Sequence, residues 1–295
     1  MALNLATLKT RSLTATAFVV VMLTGLLWNH WSFFILFTII HFGCWKEYQQ
    51  LLGKIDPEYT SITPFHKYGV RLAGWCIMLF FLGNNFNIGD FSFHAIGWWL
   101  GMICVFVLPI IELLFAGNIS LKNIGYSTLG LVYISLSWGL LMDLRCLPEI
   151  SQATDTGIRV LDAGKFLPII LIVSIWINDT MAYIVGSLIG KTPFSPISPK
   201  KTWEGTAGGA ILCVLVVALF GWWFGGFRLI DYIVISALAA VMGTLGDLLE
   251  SKGKRMANVK DSGSIMPGHG GFLDRFDSLL VATPFVWLYV FFFMK

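Results

Sequence analysis

Long, uninterrupted apolar runs recur along this chain and constrain its fold more than any other feature. Hydrophobic residues make up 56% of the 295 residues and charged residues only 13%, whereas soluble domains carry about 25% charged residues. Within a bilayer the backbone polar groups must be satisfied internally, so only helices and closed barrels span it. Barrel strands alternate apolar and polar residues, and these runs do not alternate. The sequence therefore predicts an all-α, polytopic membrane protein.

About nine of the runs are candidate transmembrane helices, since a span needs roughly 17–25 residues. The first three runs are short, so the sequence leaves open whether each of them crosses the bilayer. The predicted spans are residues 13–28, 31–45, 70–83, 91–117, 123–142, 166–190, 207–226, 229–249 and 278–294.

Lysine and arginine are distributed unevenly between the two predicted sides of the membrane. With the N-terminus in the cytoplasm, 15 of the 20 Lys and Arg residues lie on the cytoplasmic side, in agreement with the positive-inside rule. We therefore predict a cytoplasmic N-terminus, a bacterial cytoplasmic (inner) membrane as the location, and an active site that faces the cytoplasm. The net charge of +3, without a basic stripe, argues against nucleic-acid binding.

Polar residues appear repeatedly inside or directly beside the spans from Asn178 onward. Residues 1–165 consist of apolar helices with short connections and are predicted to form an N-terminal transmembrane scaffold. Residues 166–295 are predicted to form the catalytic transmembrane region. A membrane transporter is a rival hypothesis, but transporters usually show paired repeats with interrupted helices in both halves.

Asp179 lies near the middle of the predicted span 166–190. A carboxylate at this depth is costly unless it faces a polar cavity or a cation. We therefore expect Asp179 to belong to a functional site, with a structural polar contact between helices as the alternative.

The segment 191–209 contains three prolines, which prevent a continuous helix and predict a loop that ends in a new helix near Thr202. Lys200 and Lys201 would then lie beside a helix N-terminus, where free N–H groups attract anions. Together with Ser198 and Thr202 they form a candidate phosphate site. A cytoplasmic positive-inside anchor is the alternative.

The densest concentration of charge lies between Glu250 and Asp277. Asp247 and Ser251 are four residues apart, so on a helix they share one face. Asp274 and Asp277, three residues apart, also share a face if the chain is helical there. Two acidic helix ends brought together could hold Mg²⁺, which prefers a few carboxylates plus phosphate oxygens and water.

The loop between these acidic ends is suited to anionic groups, because glycine lets backbone N–H groups approach an anion. Its polar and glycine residues include Lys260, Asp261, His269, Gly270 and Gly271. A solvated loop whose charges pair at random is the alternative.

The same residues resemble the C-terminal signature of the phosphatidate cytidylyltransferase (CDP-diacylglycerol synthase) family. In this chain the signature comprises Ser251, Lys254, Arg255, Lys260, Asp261, Pro267, His269, Gly270, Gly271, Asp274, Arg275 and Asp277. The upstream stretches 178–183 and 198–205 are also similar to the family. Two positions depart from the pattern, since Gly253 stands where an apolar residue is usual and Met266 replaces Leu, Ile or Phe. Both departures concern packing of the loop rather than its chemical groups.

The resemblance implies a nine-helix membrane enzyme that transfers the cytidylyl group of CTP to phosphatidate, forming CDP-diacylglycerol and pyrophosphate in phospholipid synthesis. It also implies that Asp247 and Asp274 are catalytic acids that bind Mg²⁺, with a second, monovalent cation left open. Lys260 and Ser251 are the other expected catalytic residues. The expected substrate-binding residues are Asp179, Ser198, Lys200, Lys201, Thr202, Lys254, Arg255, Asp261, His269, Gly270, Gly271, Arg275 and Asp277. Whether the protein forms a homodimer is left open.

Two other enzyme classes were weighed against this interpretation. A related CTP-dependent cytidylyltransferase that uses another lipid phosphate, including an ether lipid, fits the same residues. The CDP-alcohol phosphatidyltransferases are disfavoured, because their Asp-Gly-x-x-Ala-Arg pattern is absent from the sequence.

Overall fold

A computed structural model describes residues 5–115, 117, 119–154, 157–264 and 270–294, with only the backbone described at 5–13, 15, 151–154 and 157–159. Its α-helices are α1 (Leu5–Leu27), α2 (His30–Ile55), α3 (Pro64–Phe80), α4 (Phe93–Phe115), α5 (Leu121–Gly130), α6 (Ser137–Arg145), α7 (Ala163–Ile189), α8 (Trp203–Phe224), α9 (Leu229–Met256) and α10 (Leu273–Tyr289). π-Helical segments Leu131–Leu136 and Val290–Met294 join α5 to α6 and extend α10, and 3₁₀ turns occupy Pro57–Ser61 and Asn84–Phe86.

Three short antiparallel hairpins lie between the helices and were not anticipated from the sequence. They are formed by β1 (Asn87–Ile88) with β2 (Phe91–Ser92), β3 (Glu149–Thr154) with β4 (Gly157–Asp162), and β5 (Pro193–Ser195) with β6 (Ser198–Thr202). The third hairpin occupies the segment that we predicted as a loop before a new helix. The predicted helix start is confirmed, because α8 begins directly after Thr202.

Six helical segments of the described residues are long and apolar enough to cross a membrane, so the predicted helical membrane protein is confirmed at this level. They are Phe93–Phe115, Leu121–Arg145, Ala163–Ile189, Trp203–Phe224, Leu229–Met256 and Leu273–Met294. Helices α1, α2 and α3 overlap the other three predicted spans and do not meet the same criteria over their described residues.

Helix α4 shows the exposure expected of a helix surrounded by lipid. Its apolar side chains point outward: Trp99 is 67% exposed, Phe106 63% and Leu114 72%. Only Gly97 and Cys104 of this helix are buried. Apolar surface of this kind would be unfavourable in water and is favourable against acyl chains.

The chain divides into two compact units. The first comprises Met1–Met142 and Gly253–Phe276, and the second comprises Asp143–Lys252 and Asp277–Lys295. Helices α9 and α10 therefore contribute residues to both. The predicted division into a scaffold, residues 1–165, and a catalytic region, residues 166–295, is a functional division and stays a prediction.

In the first unit, a buried hydroxyl joins α2 to the π-helical segment. Ser135 Oγ lies 3.0 Å from His41 Nε2 and accepts a hydrogen bond from Trp45 Nε1 at 2.8 Å. The ring of Trp138 packs between Phe37 and Phe276, with centroid distances of 5.1 and 5.8 Å. These contacts hold α2 against the π-helical segment and α6 in the buried core of this unit.

In the second unit, a buried carboxylate joins the start of α9 to the end of α10. Asp231 Oδ1 accepts hydrogen bonds from Arg228 Nη2 at 2.8 Å and from the Tyr289 hydroxyl at 2.7 Å. Asp231 is only 3% exposed, and burying a charge is tolerated when it is paired and hydrogen-bonded. The network holds α9 and α10 together at one end, and the acidic residues described below lie toward their opposite ends.

Candidate functional site

A polar cavity of about 460 Å³ lies in the second unit. It is lined by α7, the β5–β6 hairpin, the first turn of α8, and α9. Six of the predicted site residues are among its lining residues: Asp179, Ser198, Lys200, Lys201, Thr202 and Asp247. The structure thus brings together the intramembrane acid, the lysine pair and one predicted metal ligand.

The hairpin that carries the lysine pair is tied to the start of α8. Thr202 is the N-cap of this helix, and its hydroxyl oxygen accepts a hydrogen bond from the N–H of Gly205 at 3.2 Å. The Glu204 carboxylate accepts from the N–H groups of Lys191 and Thr192, each at 3.1 Å, and from the Thr192 hydroxyl at 2.7 Å. Both ends of the hairpin are therefore anchored, which fixes the two lysines at the cavity.

Small residues let α7 and α8 approach closely. A Cβ atom on Gly209 would lie 2.7 Å from the backbone nitrogen of Ala182, and one on Gly205 would lie 2.9 Å from the Cα of Gly186. Glycine and alanine four residues apart on each helix form the small-residue contact that is common between membrane helices. This contact brings Asp179, on the same helix as Ala182, to the cavity beside the hairpin.

Lys201 and Asp247 form an ion pair at the cavity, between the Nζ and Oδ2 atoms. Their side chains are 28% and 31% exposed, so the pair is partly withdrawn from solvent yet accessible. Asp179 also faces the cavity and accepts a long hydrogen bond, 3.5 Å, from Asn178 Nδ2. An ammonium group that is partly desolvated and held by one carboxylate is a suitable partner for a phosphate oxygen.

Asp247 also belongs to a cluster of three carboxylates with Glu250 and Asp277. One oxygen atom from each residue lies within 4.8 Å of the other two. Glu250 is 5% and Asp277 7% exposed. Hard oxygen ligands at this separation fit the preferences of Mg²⁺, so the donor set is compatible with the predicted ion.

The carboxylate cluster depends on a glycine at the contact between α9 and α10. A Cβ atom on Gly246 would overlap the carbonyl oxygen of Asp277. The absent side chain allows the two helix backbones to approach, which brings the carboxylates of Asp247 and Glu250 to that of Asp277.

Asp274 binds several residues of the signature loop, the segment 257–272 between α9 and α10, of which 257–264 and 270–272 are described. Its Oδ1 accepts a hydrogen bond from Lys254 Nζ at 2.6 Å, and its Oδ2 accepts from the N–H groups of Ser262 and Gly271 at 2.8 and 2.7 Å. The Ser262 hydroxyl is 3.0 Å from the same oxygen. Gly270 has a φ of +75°, and a Cβ atom there would lie 2.7 Å from Asp274 Oδ2. Ser262, Gly270 and Gly271, which belong to the described parts of the loop, therefore surround this carboxylate.

The loop leaves α9 through a Schellman motif. Asn258 has a φ of +54°, the left-handed conformation that this motif requires of the residue after the helix. Its N–H donates to the carbonyl of Arg255 at 3.1 Å, and the N–H of Val259 donates to that of Lys254 at 2.9 Å. The chain reverses here, while Lys254 remains in the last turn of α9 and reaches Asp274.

Glu47, on α2 in the first unit, supports this loop and was missed by the sequence analysis. Its Oε1 accepts from the N–H of Phe272 at 2.9 Å. Its Oε2 accepts from the N–H of Leu273 at 2.9 Å and from the Ser262 hydroxyl at 2.8 Å. N–H groups at a helix start lack intrahelical partners, so Glu47 satisfies the start of α10. The only sequence signal was an acidic residue directly after an apolar run.

The remaining predicted residues are distributed between the two units. Ser251 is half-buried on α9 in the second unit. Arg255, Lys260, Asp261 and Arg275 are exposed in the first unit. His269 lies outside the described residues. The predicted magnesium pair has one member in each unit, Asp247 in the second and Asp274 in the first, and it stays a prediction.

The fold and the cavity together define a helical membrane protein with a polar cavity, lined by two lysines, a helix N-terminus and aspartates. A sequence model of the cytidylyltransferase family matches residues 9–293. The chain belongs to this family, which confirms the resemblance identified from the signature residues.

Similar proteins include the phosphatidate cytidylyltransferase of Bacillus subtilis, 35% identical over 192 residues that cover 64% of this chain and 66% of that protein. The phosphatidate cytidylyltransferase of Staphylococcus saprophyticus is 48% identical over 113 residues, or 37% of this chain and 43% of that protein. The Haemophilus influenzae protein of the same name is 38% identical over 135 residues, or 44% and 47% respectively. The chain thus aligns with just under two thirds of the first relative and less than half of the other two.

Proposed function

We propose that this protein transfers the cytidylyl group of CTP to phosphatidate, forming CDP-diacylglycerol and pyrophosphate. The observation that carries the proposal is the cavity in which the Lys201–Asp247 ion pair meets Lys200 and Asp179. Membership of the cytidylyltransferase family and the names of the three relatives support the same reaction.

The chemistry requires charge neutralisation more than proton transfer. A phosphate monoester has a second pKa of about 6, so it is already largely ionised at neutral pH. One of its oxygens attacks the α-phosphorus of CTP, a new P–O bond forms, and the bond to the β-phosphate breaks to release pyrophosphate. No proton has to leave the nucleophile. The difficulty lies in bringing two polyanions together, which positioned cations overcome.

The lysine pair is placed to supply that neutralisation. Lys201 is held at the cavity by Asp247, and Lys200 lines the same cavity from the adjacent position of the hairpin. Phosphate oxygens entering the cavity would compete with Asp247 for the Lys201 ammonium group. Because the hairpin is anchored to α8, the lysines need little reorganisation to bind phosphate, and that preorganisation favours catalysis.

We propose that Asp247, Glu250 and Asp277 hold Mg²⁺. Asp247 is common to this cluster and to the pair predicted from the resemblance, in which Asp274 is the second acid. When bound, Mg²⁺ would neutralise negative charge on the phosphates of CTP and on the pyrophosphate leaving group. The carboxylates fit such an ion because one oxygen from each lies within 4.8 Å of the others.

The proposal includes a membrane topology and an assembly. We infer nine spans, in which α1, α2 and α3 join the six segments that meet the length and apolarity criteria. The N-terminus and the cavity would lie on the cytoplasmic side of a bacterial inner membrane, as the distribution of Lys and Arg favours. Phosphatidate would enter from the bilayer with its acyl chains in the lipid. The assembly we propose is a homodimer, which light scattering of the purified protein would test.

The decisive experiment is incubation of the purified protein with labelled CTP, Mg²⁺ and a panel of lipid phosphates that includes phosphatidate, its ether-linked analogue and lysophosphatidate. We expect labelled CDP-diacylglycerol and stoichiometric pyrophosphate. A different labelled lipid would identify another lipid phosphate as the substrate, and unconsumed CTP with every lipid would refute the proposed reaction.

A matched pair of variants tests the site. Asp247→Asn should lower turnover by at least about a hundredfold, in line with the loss of a group that stabilises charge in the transition state. Asp90→Asn removes the same charge from an exposed turn between β1 and β2 and should leave turnover unchanged. Near-normal turnover of a folded Asp247→Asn protein would reject the assignment of this cavity as the active site.

A further inference from the structure

A second cavity, of about 650 Å³, lies in the first unit among residues at the end of α2, the following turn and the first half of α3. Its volume is within the range of roughly 300–1,000 Å³ that is usual for small-ligand pockets. Its lining includes four basic side chains and no carboxylate: Lys46, Lys54, Lys67 and Arg71. Neither the signature motif nor the proposed reaction assigns a role to these residues.

The four cations have no ion-pair partner within the part of the chain that the structure describes. No carboxylate among the described residues forms an ion pair with any of them, whereas Lys122, Lys201, Arg228 and Lys254 are each paired with an aspartate. The dipole of α2 places roughly half a negative charge at the C-terminus of this helix. The four positive side chains that line the cavity outweigh this partial charge. The lining of the cavity therefore carries an excess of positive charge, which attracts anions.

The guanidinium of Arg71 is held in place by a buried glutamine. Gln49 is 5% exposed; its Nε2 donates to the carbonyl of Lys67 at 3.0 Å, and its Oε1 accepts from Arg71 Nε at 2.8 Å. The Tyr68 ring lies 5.3 Å from the guanidinium carbon, a cation–π distance. Since a guanidinium has five N–H donors, the Nε bond leaves the four donors of the two Nη groups to bind an anion.

The positive-inside rule alone does not account for this arrangement. It explains why lysine and arginine are frequent near the cytoplasmic ends of helices, but such residues need neither a fixed geometry nor a shared cavity. Here the buried side-chain amide of Gln49 orients Arg71 and also donates a hydrogen bond to the backbone carbonyl of Lys67. A planar guanidinium fixed among lysines is the arrangement that suits bidentate binding of phosphate.

We propose that this cavity binds a phosphate group, as a site additional to the CTP and phosphatidate site. The phosphate can belong to the headgroup of an anionic membrane lipid or to a soluble phosphate, and the chemistry of recognition is the same. Basic pockets between helices at the membrane surface bind lipid headgroups in this way.

The test uses the full-length protein in mixed micelles, with native mass spectrometry to count the bound ligands. Phosphatidylglycerol is the anionic lipid probe, phosphatidylcholine is the neutral lipid control, and inorganic phosphate is the soluble probe. Arg71→Gln and Lys67→Gln each remove one charge from the cavity, and Lys67 is exposed, so its substitution does not disturb the core. Lys165→Gln removes one charge in the second unit and serves as the matched control.

We expect one phosphatidylglycerol molecule whose affinity falls at least about tenfold in both cavity variants and is unchanged in Lys165→Gln, since hydrogen bonds to charged groups contribute on this order. Displacement of the lipid by inorganic phosphate, or binding of phosphate alone with the same dependence on the variants, would identify a soluble source. Equal binding by the cavity variants and the control, or no binding of either probe, would overturn the proposal.

Discussion

The signature loop depends on the carboxylate of Glu47, a residue on α2 that is far from the loop in the sequence. Glu47 is 5% exposed and accepts three hydrogen bonds, from the N–H groups of Phe272 and Leu273 and from the Ser262 hydroxyl. We predict that Glu47→Gln loosens the loop and the first turn of α10 without unfolding the rest of the first unit.

The magnitude follows from the hydrogen bonds that glutamine cannot make. Its oxygen can replace Oε1 and still accept from Phe272, but its NH₂ group faces the N–H of Leu273, which then loses its acceptor. The Ser262 hydroxyl can reverse and accept from this NH₂ group. One hydrogen bond to a charged group is lost, at a cost of about 1.5–3 kcal/mol. Glu47→Ala leaves the N–H groups of Phe272 and Leu273 without an acceptor, whereas the Ser262 hydroxyl can still donate to Asp274. By the same reasoning this variant should cost about 3–6 kcal/mol.

Hydrogen–deuterium exchange of peptides covering residues 262–276 measures this effect directly. A local cost of this size should accelerate exchange there by roughly 10- to 100-fold and lower the unfolding temperature in detergent. Glu58→Gln is the control, because Glu58 is exposed in the same unit and its carboxylate accepts no hydrogen bond among the described residues. The reasoning is refuted if Glu47→Gln and Glu58→Gln show the same exchange and the same unfolding temperature.

Two further predictions concern packing and pH. Gly246→Ala should lower the unfolding temperature, at a cost of about 1–3 kcal/mol, because its Cβ would overlap the carbonyl of Asp277; Gly125→Ala, with open space around it, should not. A hydrogen bond from Lys122 holds the pKa of the Asp56 carboxyl below its ordinary value of 3.8. The carboxylate therefore stabilises the folded state fully above the ordinary pKa of 3.8, and this stabilisation is lost as the pH falls through the lower pKa of the folded protein. Unfolding temperatures of the wild type should therefore drop more steeply on acidification than those of Asp56→Asn, and parallel curves would contradict this assignment.

The apolar helices, and the point after residues 191–202 at which a new helix begins, were largely predictable from local sequence. Apolar runs of sufficient length must be helical in a bilayer, and proline positions indicate where a helix cannot continue. These rules anticipated the start of α8 after Thr202. The last predicted span began at residue 278, whereas α10 begins at Leu273 and so includes Asp274. The β5–β6 hairpin was not anticipated, because its pairing depends on the anchoring of Glu204 to Thr192 rather than on an alternating pattern.

The carboxylate cluster illustrates the limit of local rules. Helical periodicity predicts neighbours within one helix, such as Asp247 with Ser251 and Asp274 with Asp277. It does not predict which residues of two different helices come into contact. Glu250 joins Asp247 and Asp277 in the structure, since the glycine before Asp247 lets α9 and α10 approach.

The sequence by itself determined that this is a helical membrane protein, approximately where its long apolar helices lie, and which family its signature residues resemble, because hydropathy, helix breakers and signature spacing are local properties. Only the tertiary structure decided which distant residues hold the signature loop and the basic cavity in place. Glu47 is 226 residues from Leu273, which it binds, and Gln49 orients Arg71 across 22 residues. Such partners satisfy buried donors and acceptors, and their choice depends on how helices pack rather than on any pattern along the chain.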